Sequence, residues 1–261
     1  METKLVLFEE LSNKVGIITL NDPNKLNAMS EAMAEEFSAL IKTLKSRATS
    51  LRAVILTGAG KAFSAGGDLK MLESKTKLGG EENRQKMLAY YNSFLCIREL
   101  NVPLIAAVNG SAIGAGLCLA SACDVRLAGE SAKLGMTFAK LGLHPGMGAT
   151  YFLPQVMGYA RAAEFMLTAR VVDAAEALRV GLVSRIVSDA VLMDEAKNLA
   201  QEICNCGPEA VTQLLETLRT GTLGLDQSLK REASVQAVNY AGAEFKEGLS
   251  SVIEKRKPRF D

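Results

Sequence analysis

The residues best suited to chemistry lie in two glycine-bearing turns, residues 62–68 (AFSAGGD) and residues 109–116 (NGSAIGAG). Each follows an apolar, β-branched run, LRAVILT before the first and VPLIAAV before the second, and each opens into a helix-forming stretch. A strand, a glycine turn and a helix in succession leave the first helical N–H groups without internal partners, and glycine lets a ligand oxygen approach them closely. Two such turns facing each other make an oxyanion hole, in which backbone donors stabilise developing negative charge. Singly these glycines are weak signals, because tight packing also selects glycine. Their pairing carries the weight.

Acid–base groups near the turns are few. His144 is the single histidine of the chain, in the turn LHPGMG. Histidine is the side chain whose charge changes closest to neutral pH, although a lone turn histidine also serves as an ordinary hydrogen-bonding residue. Between Gly129 and Ala163 the only acidic residue is Glu130. Cys96, Cys118, Cys123, Cys204 and Cys206 are odd in number and have neither a CxxC pair nor a neighbouring histidine, so they read as reduced thiols, with no metal site.

These turns need a scaffold, and the chain is long enough to supply one. Its 261 residues are 48% hydrophobic and 23% charged, which fits one large α/β domain or a core with a smaller appendage. A formal net charge of +1 gives no field that would favour nucleic acid or an acidic membrane. No apolar run approaches the roughly 20 residues of a membrane span. The opening METKLVLFEELSN is acidic and short of apolar length, and the closing KPRFD is no recognised address, so a cytoplasmic protein is expected.

In chain order, residues 4–10 and 15–20 read as an antiparallel hairpin, and Ser30 caps a helix over residues 31–46. Residues 51–57, 102–108 and 124–128 read as strands, the first two apolar enough to be buried on both faces of a parallel sheet. Helices are expected over residues 69–74 and 83–100, with the polar KTKLGGEE segment between them mobile. Beyond Pro154 the pattern turns helical, at about residues 155–167, 173–180, 189–205, 208–220 and 225–255, with one strand-like run at residues 182–187. Strand, turn and helix in alternation mean an α/β layer with crossover connections. The division expected is a core over residues 1–190 and a helical region over residues 191–261.

With these elements placed, the sequence resembles the crotonase superfamily, the enoyl-CoA hydratase and isomerase relatives. The likeness runs from ITLNDPNKLNAMS through ILTGAGKAFSAGGDLK, VPLIAAVNGSAIGAGLCLASACDVRLA and LGLHPGMGATYFLPQVMGYARAAEFMLTA to EGLSSVIEKRKPRF. It implies a ββα spiral core with a C-terminal helical trimerisation region, assembled as a homotrimer or homohexamer. It also implies an acyl-CoA or acyl-carrier thioester as substrate, with no resident cofactor. The two oxyanion donors would be the N–H groups of Gly67 and Ala115. Lys25, Leu26 and Ala28 match positions that contact the nucleotide end of CoA, and Ala65 and Asp68 flank the pantetheine path. Phe260 matches a C-terminal aromatic that closes on the cofactor. Plainer roles stand beside these: a solvated loop lysine at Lys25, a helix cap at Asp68, a packing anchor at Phe260.

The pattern departs from the family where protons are moved. The two glutamates that hydratases use fall on Cys118 and Phe138, and the carboxylate that some isomerases carry falls on Gly146. General acid or base action contributes about 10²- to 10⁴-fold per group, so standard hydration would be crippled. His144, Lys75 or a tyrosine remain as proton carriers, and Cys118 as a weak one or as a plain buried thiol. Lys70, Glu73, Lys75, Tyr90 and Tyr91 lie on segments near the acyl mouth, although a solvated face accounts for most of them. Leu69, Met71, Met136, Phe138, Leu141 and Tyr151 are candidates for the acyl pocket, or for the core. Three readings follow: a thioester-enolate enzyme whose reaction is not standard hydration, an acyl-thioester decarboxylase, and a weakly catalytic acyl-CoA-binding scaffold.

Overall fold

The computed structural model describes residues 4–46, 51–221 and 223–260. Residues 1–3 of the opening stretch and Asp261 of KPRFD lie outside the described residues. β1 (Val6–Glu10) and β2 (Val15–Leu20) form the expected hairpin, with Val6 opposite Leu20. α1 (Glu31–Ser46) starts where the sequence places it, with Ser30 Oγ accepting from the Met33 N–H at 3.1 Å. Met33, Phe37, Ile41 and Leu44 recur along its buried face.

β3 (Ala53–Gly58) is followed directly by the short β4 (Ala62–Ser64) and then by α2 (Leu69–Lys75) and α3 (Gly80–Leu95). The motif repeats as β5 (Leu104–Val108), β6 (Ser111–Ile113) and α4 (Ala115–Ala122). It repeats again as β7 (Val125–Gly129), β8 (Lys133–Gly135), α5 (Ala149–Met157) and α6 (Tyr159–Leu167). β9 (Val171–Asp173), α7 (Ala174–Arg179) and β10 (Arg185–Val187) close it, and four helices follow: α8 (Leu192–Cys204), α9 (Pro208–Thr220), α10 (Leu225–Ala241) and α11 (Ala243–Ile253).

The long strands make a six-stranded sheet in the order β1-β2-β3-β5-β7-β10, and the short ones a four-stranded sheet in the order β4-β6-β8-β9. Each turn of the chain adds one strand to each sheet and then a helix, so the backbone climbs as a ββα spiral. The central strands are buried on both faces, as their unbroken apolar runs require. Val54, Leu56, Leu104 and Ala106 face one core, and Ala53, Ile55, Ile105 and Ala107 face the other. That second core is covered by Leu192, Ala196 and Ala200 of α8. Residue 190 is therefore no break in the packing, because α8 completes the sheet.

The structure adds detail that the sequence reading lacks. β4, β6, β8 and β9, each of 3 residues, fall in segments read as turns or left unassigned. Strands so short, two of them ending in or beside glycine, carry no alternation to read. Two long helices are split: Gly158, at φ +77°, separates α5 from α6, and Gly242 separates α10 from α11. Part of the KTKLGGEE segment forms the first turn of α3.

Arg219 ties α9 to the core. Arg219 places Nε 2.9 Å from Oδ1 of Asp124 and Nη2 2.6 Å from its Oδ2, and it also donates to the Leu100 carbonyl at 2.9 Å. Oδ2 of Asp124 accepts the Leu104 N–H at 2.8 Å as well, so one carboxylate joins α9 to the starts of β5 and β7. Removing one partner of a largely buried pair leaves the other uncompensated. Asp124→Ala is expected to lower stability by about 2–4 kcal/mol, read as a lower urea midpoint at unchanged slope.

Candidate active site

The site is built where β4 and β6 end side by side. Gly66 stands at φ +94°, and a Cβ on it would fall 2.5 Å from the Ile113 carbonyl oxygen and 3.5 Å from the Ala115 nitrogen. Only a residue without a side chain lets these two turns come so close. Gly116 repeats the constraint from the other side, since its Cβ would lie 2.7 Å from Ser64 Cβ. The start of α4 is therefore pressed onto β4.

Local hydrogen bonds determine which N–H groups are left over. Met29 donates to the Gly66 carbonyl at 2.7 Å and accepts from the Asp68 N–H at 3.4 Å, a single parallel bridge that turns the Gly67 N–H to the opposite side. Gly114, at φ +53°, donates to the Gly135 carbonyl at 2.8 Å and accepts from the Cys118 N–H at 3.0 Å. Ala115 is then the first residue of α4, where an N–H has no partner within the helix. The opening of α4 thus stands beside the Gly66 turn, with the Ala115 nitrogen 3.5 Å from where a Cβ on Gly66 would be.

Asn27 and Asn109 hold these turns in place, a function the sequence reading did not assign. Asn27 is fully buried, donates to the Ala59 and Ala62 carbonyls at 2.9 and 2.8 Å, and accepts the Asp22 N–H at 2.9 Å. Asn109 donates to the Gly58 carbonyl at 2.8 Å. The only available signal was an asparagine inside each of the motifs NKLNAM and VNGSA.

The side chains packed beside these turns carry little polarity. Cys118 lies one helical turn beyond Ala115 and is fully buried, with Sγ 3.4 Å from the Gly146 carbonyl oxygen and 4.0 Å from Met136 Sδ. Burial pushes its thiol up to about 12, so it stays protonated. Phe138, in the single turn Thr137–Leu141, sets its ring 3.7 Å from where a Cβ on Gly114 would stand. Met71 lies against Gly67, its Cε 3.5 Å from a Cβ built there. Tyr91 lies over Gly146, and a Cβ at that glycine would collide with the phenol, 2.7 Å from Cζ. Burial, and then Cys118, raise the Tyr91 hydroxyl above the usual phenol range.

The other candidates are spread more widely. Asp68 caps α2, its Oδ1 accepting the Met71 N–H at 3.0 Å. Lys75 is paired with Glu31 at 2.8 Å. His144 is exposed, with Nδ1 2.8 Å from the neighbouring Pro145 carbonyl oxygen, and the structure does not bring it to Gly67 or Ala115. Lys25 is exposed beside Asp22 at 3.5 Å, and the Leu26 carbonyl accepts the Ala65 N–H at 2.9 Å, so the loop carrying Lys25, Leu26 and Ala28 borders the first glycine turn. Leu69 and Leu141 are exposed, at 77% and 62%. Phe260 lies at the opposite end of β3, where its carbonyl accepts from Arg52 at 3.4 Å, and its ring lines a cavity of about 310 Å³ with Tyr240 and Phe245. Among the described residues, no group of three or more His, Cys, Asp or Glu could hold a metal ion, and no helix is long and apolar enough to cross a membrane.

A ββα spiral in which two N–H-bearing turns meet on successive rungs is the architecture of a crotonase-type protein. Residues 10–261 match the model of the enoyl-CoA hydratase/isomerase family, and the chain belongs to that family. It is 34% identical over 259 residues to the short-chain-enoyl-CoA hydratase of Clostridium acetobutylicum, covering 98% of this chain and 97% of that one. The crystal structure of an enoyl-CoA hydratase from Bacillus anthracis superposes with a TM-score of 0.91 at 35% identity, covering 98% of this chain and 99% of that one. An enoyl-CoA hydratase from Mycobacterium smegmatis gives 0.90 at 30% identity, covering 99% of each chain. The protein is thus a member of an enzyme family that acts on acyl-CoA thioesters.

Two substitutions separate packing from binding at the first turn. Gly66→Ala drives a methyl into the Ile113 carbonyl at a positive φ, and should lower stability by about 1–3 kcal/mol and weaken acyl-CoA binding measured by calorimetry. Asp68→Ala removes only a helix cap, and should cost about 1 kcal/mol in urea unfolding with acyl-CoA affinity retained.

Proposed function

We propose that the protein binds an acyl-CoA thioester, or the same acyl group on a pantetheine carrier, and stabilises its enolate in a reaction other than two-carboxylate hydration. The thioester oxygen sits between the N–H groups of Gly67 and Ala115. The observation that carries this reading is the approach of the Gly66 turn to the Ala115 nitrogen, with Cys118, Phe138 and Gly146 around the space instead of carboxylates. A donor aimed at a developing oxyanion is worth roughly 10²- to 10³-fold in rate, and this reading assigns two of them, Gly67 and Ala115. The general base that would activate water is absent, and each such group contributes about 10²- to 10⁴-fold.

The loop of Lys25, Leu26 and Ala28 lies on the nucleotide side, and Ala65 lies along the pantetheine, while Asp68 acts as the cap of α2. Met71 and Phe138 border the acyl group, with Leu69 and Leu141 at its exposed mouth. Lys75 and His144, engaged with Glu31 and with Pro145, act outside the reacting atoms. α10 buries none of its residues, and Leu225 and Leu229 stand 76% and 54% exposed on it, which supports assembly of the helical region into a homotrimer or homohexamer.

The test is a set of thioesters assayed with the purified chain: crotonyl-CoA, a 3-enoyl-CoA, and malonyl- and methylglutaconyl-CoA, with binding, absorbance and carbon dioxide followed in parallel. Binding of CoA esters is expected, with crotonyl-CoA hydrated at least about 10²-fold more slowly than by a two-glutamate hydratase. Hydration at ordinary rates would overturn the claim of a different reaction, and no CoA-ester binding would overturn the whole reading. Carbon dioxide release would identify a decarboxylase, and tight binding without turnover a scaffold.

A further inference from the structure

Against Gly146 the structure places a phenol, that of Tyr91. We propose that Tyr91 donates the proton to the α-carbon of the thioester enolate, and that Gly146 is the residue that makes room for it. This rests on the reading that the thioester oxygen lies between Gly67 and Ala115.

The placement follows from three contacts. Cys118 is three residues beyond Ala115, so both project from the same face of α4. Its Sγ reaches the Gly146 carbonyl oxygen at 3.4 Å. The Tyr91 phenol covers Gly146, with Cζ 2.7 Å from where a Cβ would be. Cys118, on the α4 face that Ala115 opens, and the Tyr91 phenol therefore meet at Gly146.

The adjacent tyrosine has a different task. Tyr90 is buried and donates to the Met29 carbonyl at 2.6 Å, the same carbonyl that accepts the Asp68 N–H beside Gly67. This bond ties α3 to the backbone that orients the Gly67 N–H, and so sets Tyr91 relative to it. Tyr91, in contrast, has no hydrogen-bond partner among the described residues. Its hydroxyl is the uncommitted one.

Tyr91 suits donation better than abstraction. Burial holds its proton on at neutral pH, so the phenol is available as an acid. Cys118 is a poorer candidate, because its thiol is already spent on the Gly146 carbonyl and its thiolate would be fully buried. In the step itself the enolate electron pair forms the new C–H bond with the phenol proton, the thioester carbonyl is restored, and the phenolate recovers a proton from solvent. Conjugate addition and loss of carbon dioxide both pass through such an enolate, so the donor serves either route.

The experiment is deuterium incorporation at the α-carbon of butyryl-CoA in D₂O, followed by mass spectrometry, with butyryl-CoA affinity measured separately by calorimetry. The full chain is expected to exchange at alkaline pD, where the Tyr91 phenolate forms and takes the α-proton in the reverse of the donation step. Tyr91→Phe, which removes a single oxygen, should slow exchange about 10²-fold or more at unchanged affinity. Gly146→Ala, which leaves Tyr91 in the chain but displaces its ring, should slow exchange as well. Exchange in Tyr91→Phe equal to that of the unaltered chain would overturn the proposal, as would binding without exchange in the unaltered chain. Failure of the unaltered chain to bind butyryl-CoA would instead remove the thioester reading on which it rests.

Discussion

The backbone of residues 65–67 meets that of residues 113–115 at a distance that excludes any side chain from Gly66, whose Cβ would fall 2.5 Å from the Ile113 carbonyl oxygen. This approach is possible because β4 and β6 run parallel as neighbours in the second sheet, with Ala62 paired to Ser111. It is held by bonds that reach across the chain, from Asn27 to the Ala59 and Ala62 carbonyls and from Ser64 Oγ to the Asn27 carbonyl at 2.8 Å. Each such bond adds only about 1 kcal/mol net, but a buried amide left without partners costs more, so the set holds or fails together. The spiral brings the Gly66 turn against the opening of α4 through backbone and amide contacts.

Much of this could be read from the amino-acid sequence, for identifiable reasons. The long strands announce themselves as unbroken apolar runs, and α1 by its apolar spacing and the capping serine. The glycine turns show themselves because glycine is needed where backbones approach. The second sheet stayed hidden, because strands of three residues register only through their partners. The splits at Gly158 and Gly242 were also missed, since a single glycine inside a helical pattern signals a break no more strongly than it signals tolerance. At the site, the helix-cap alternative for Asp68 could be read from its position before Leu69. The contact between Tyr91 and Gly146 could not, because it joins segments far apart in the chain and one partner has no side chain to suggest it.

The electrostatics of the space differ from those of a site built around carboxylates. Its fixed polarity comes from backbone donors, while Cys118, Met136 and Phe138 supply apolar or weakly polar walls. Backbone dipoles gain strength in such surroundings because nearby water does not screen them. A carboxylate placed among the same side chains would be pushed towards its neutral form by the loss of solvation. The thiol, phenyl ring and glycine at these positions make a change in polarity as well, because they keep the surroundings of the other groups apolar.

That change bears on which proton carrier the fold can support. A group that is charged at rest must pay for burial throughout the cycle, whereas one that is neutral at rest becomes charged only as the proton leaves. Lys75, its side chain 14% exposed, meets the first condition by pairing with Glu31 at 2.8 Å. A phenol satisfies the second, since it enters the pocket uncharged and gains its negative charge just as the enolate loses one. Charge is transferred between two oxygens inside one low-polarity space, and none is created there. In the reading proposed above, the backbone donors of Gly67 and Ala115 would stabilise the negative charge while it rests on the thioester oxygen, and the hydroxyl of Tyr91 would take it up when the α-carbon is protonated.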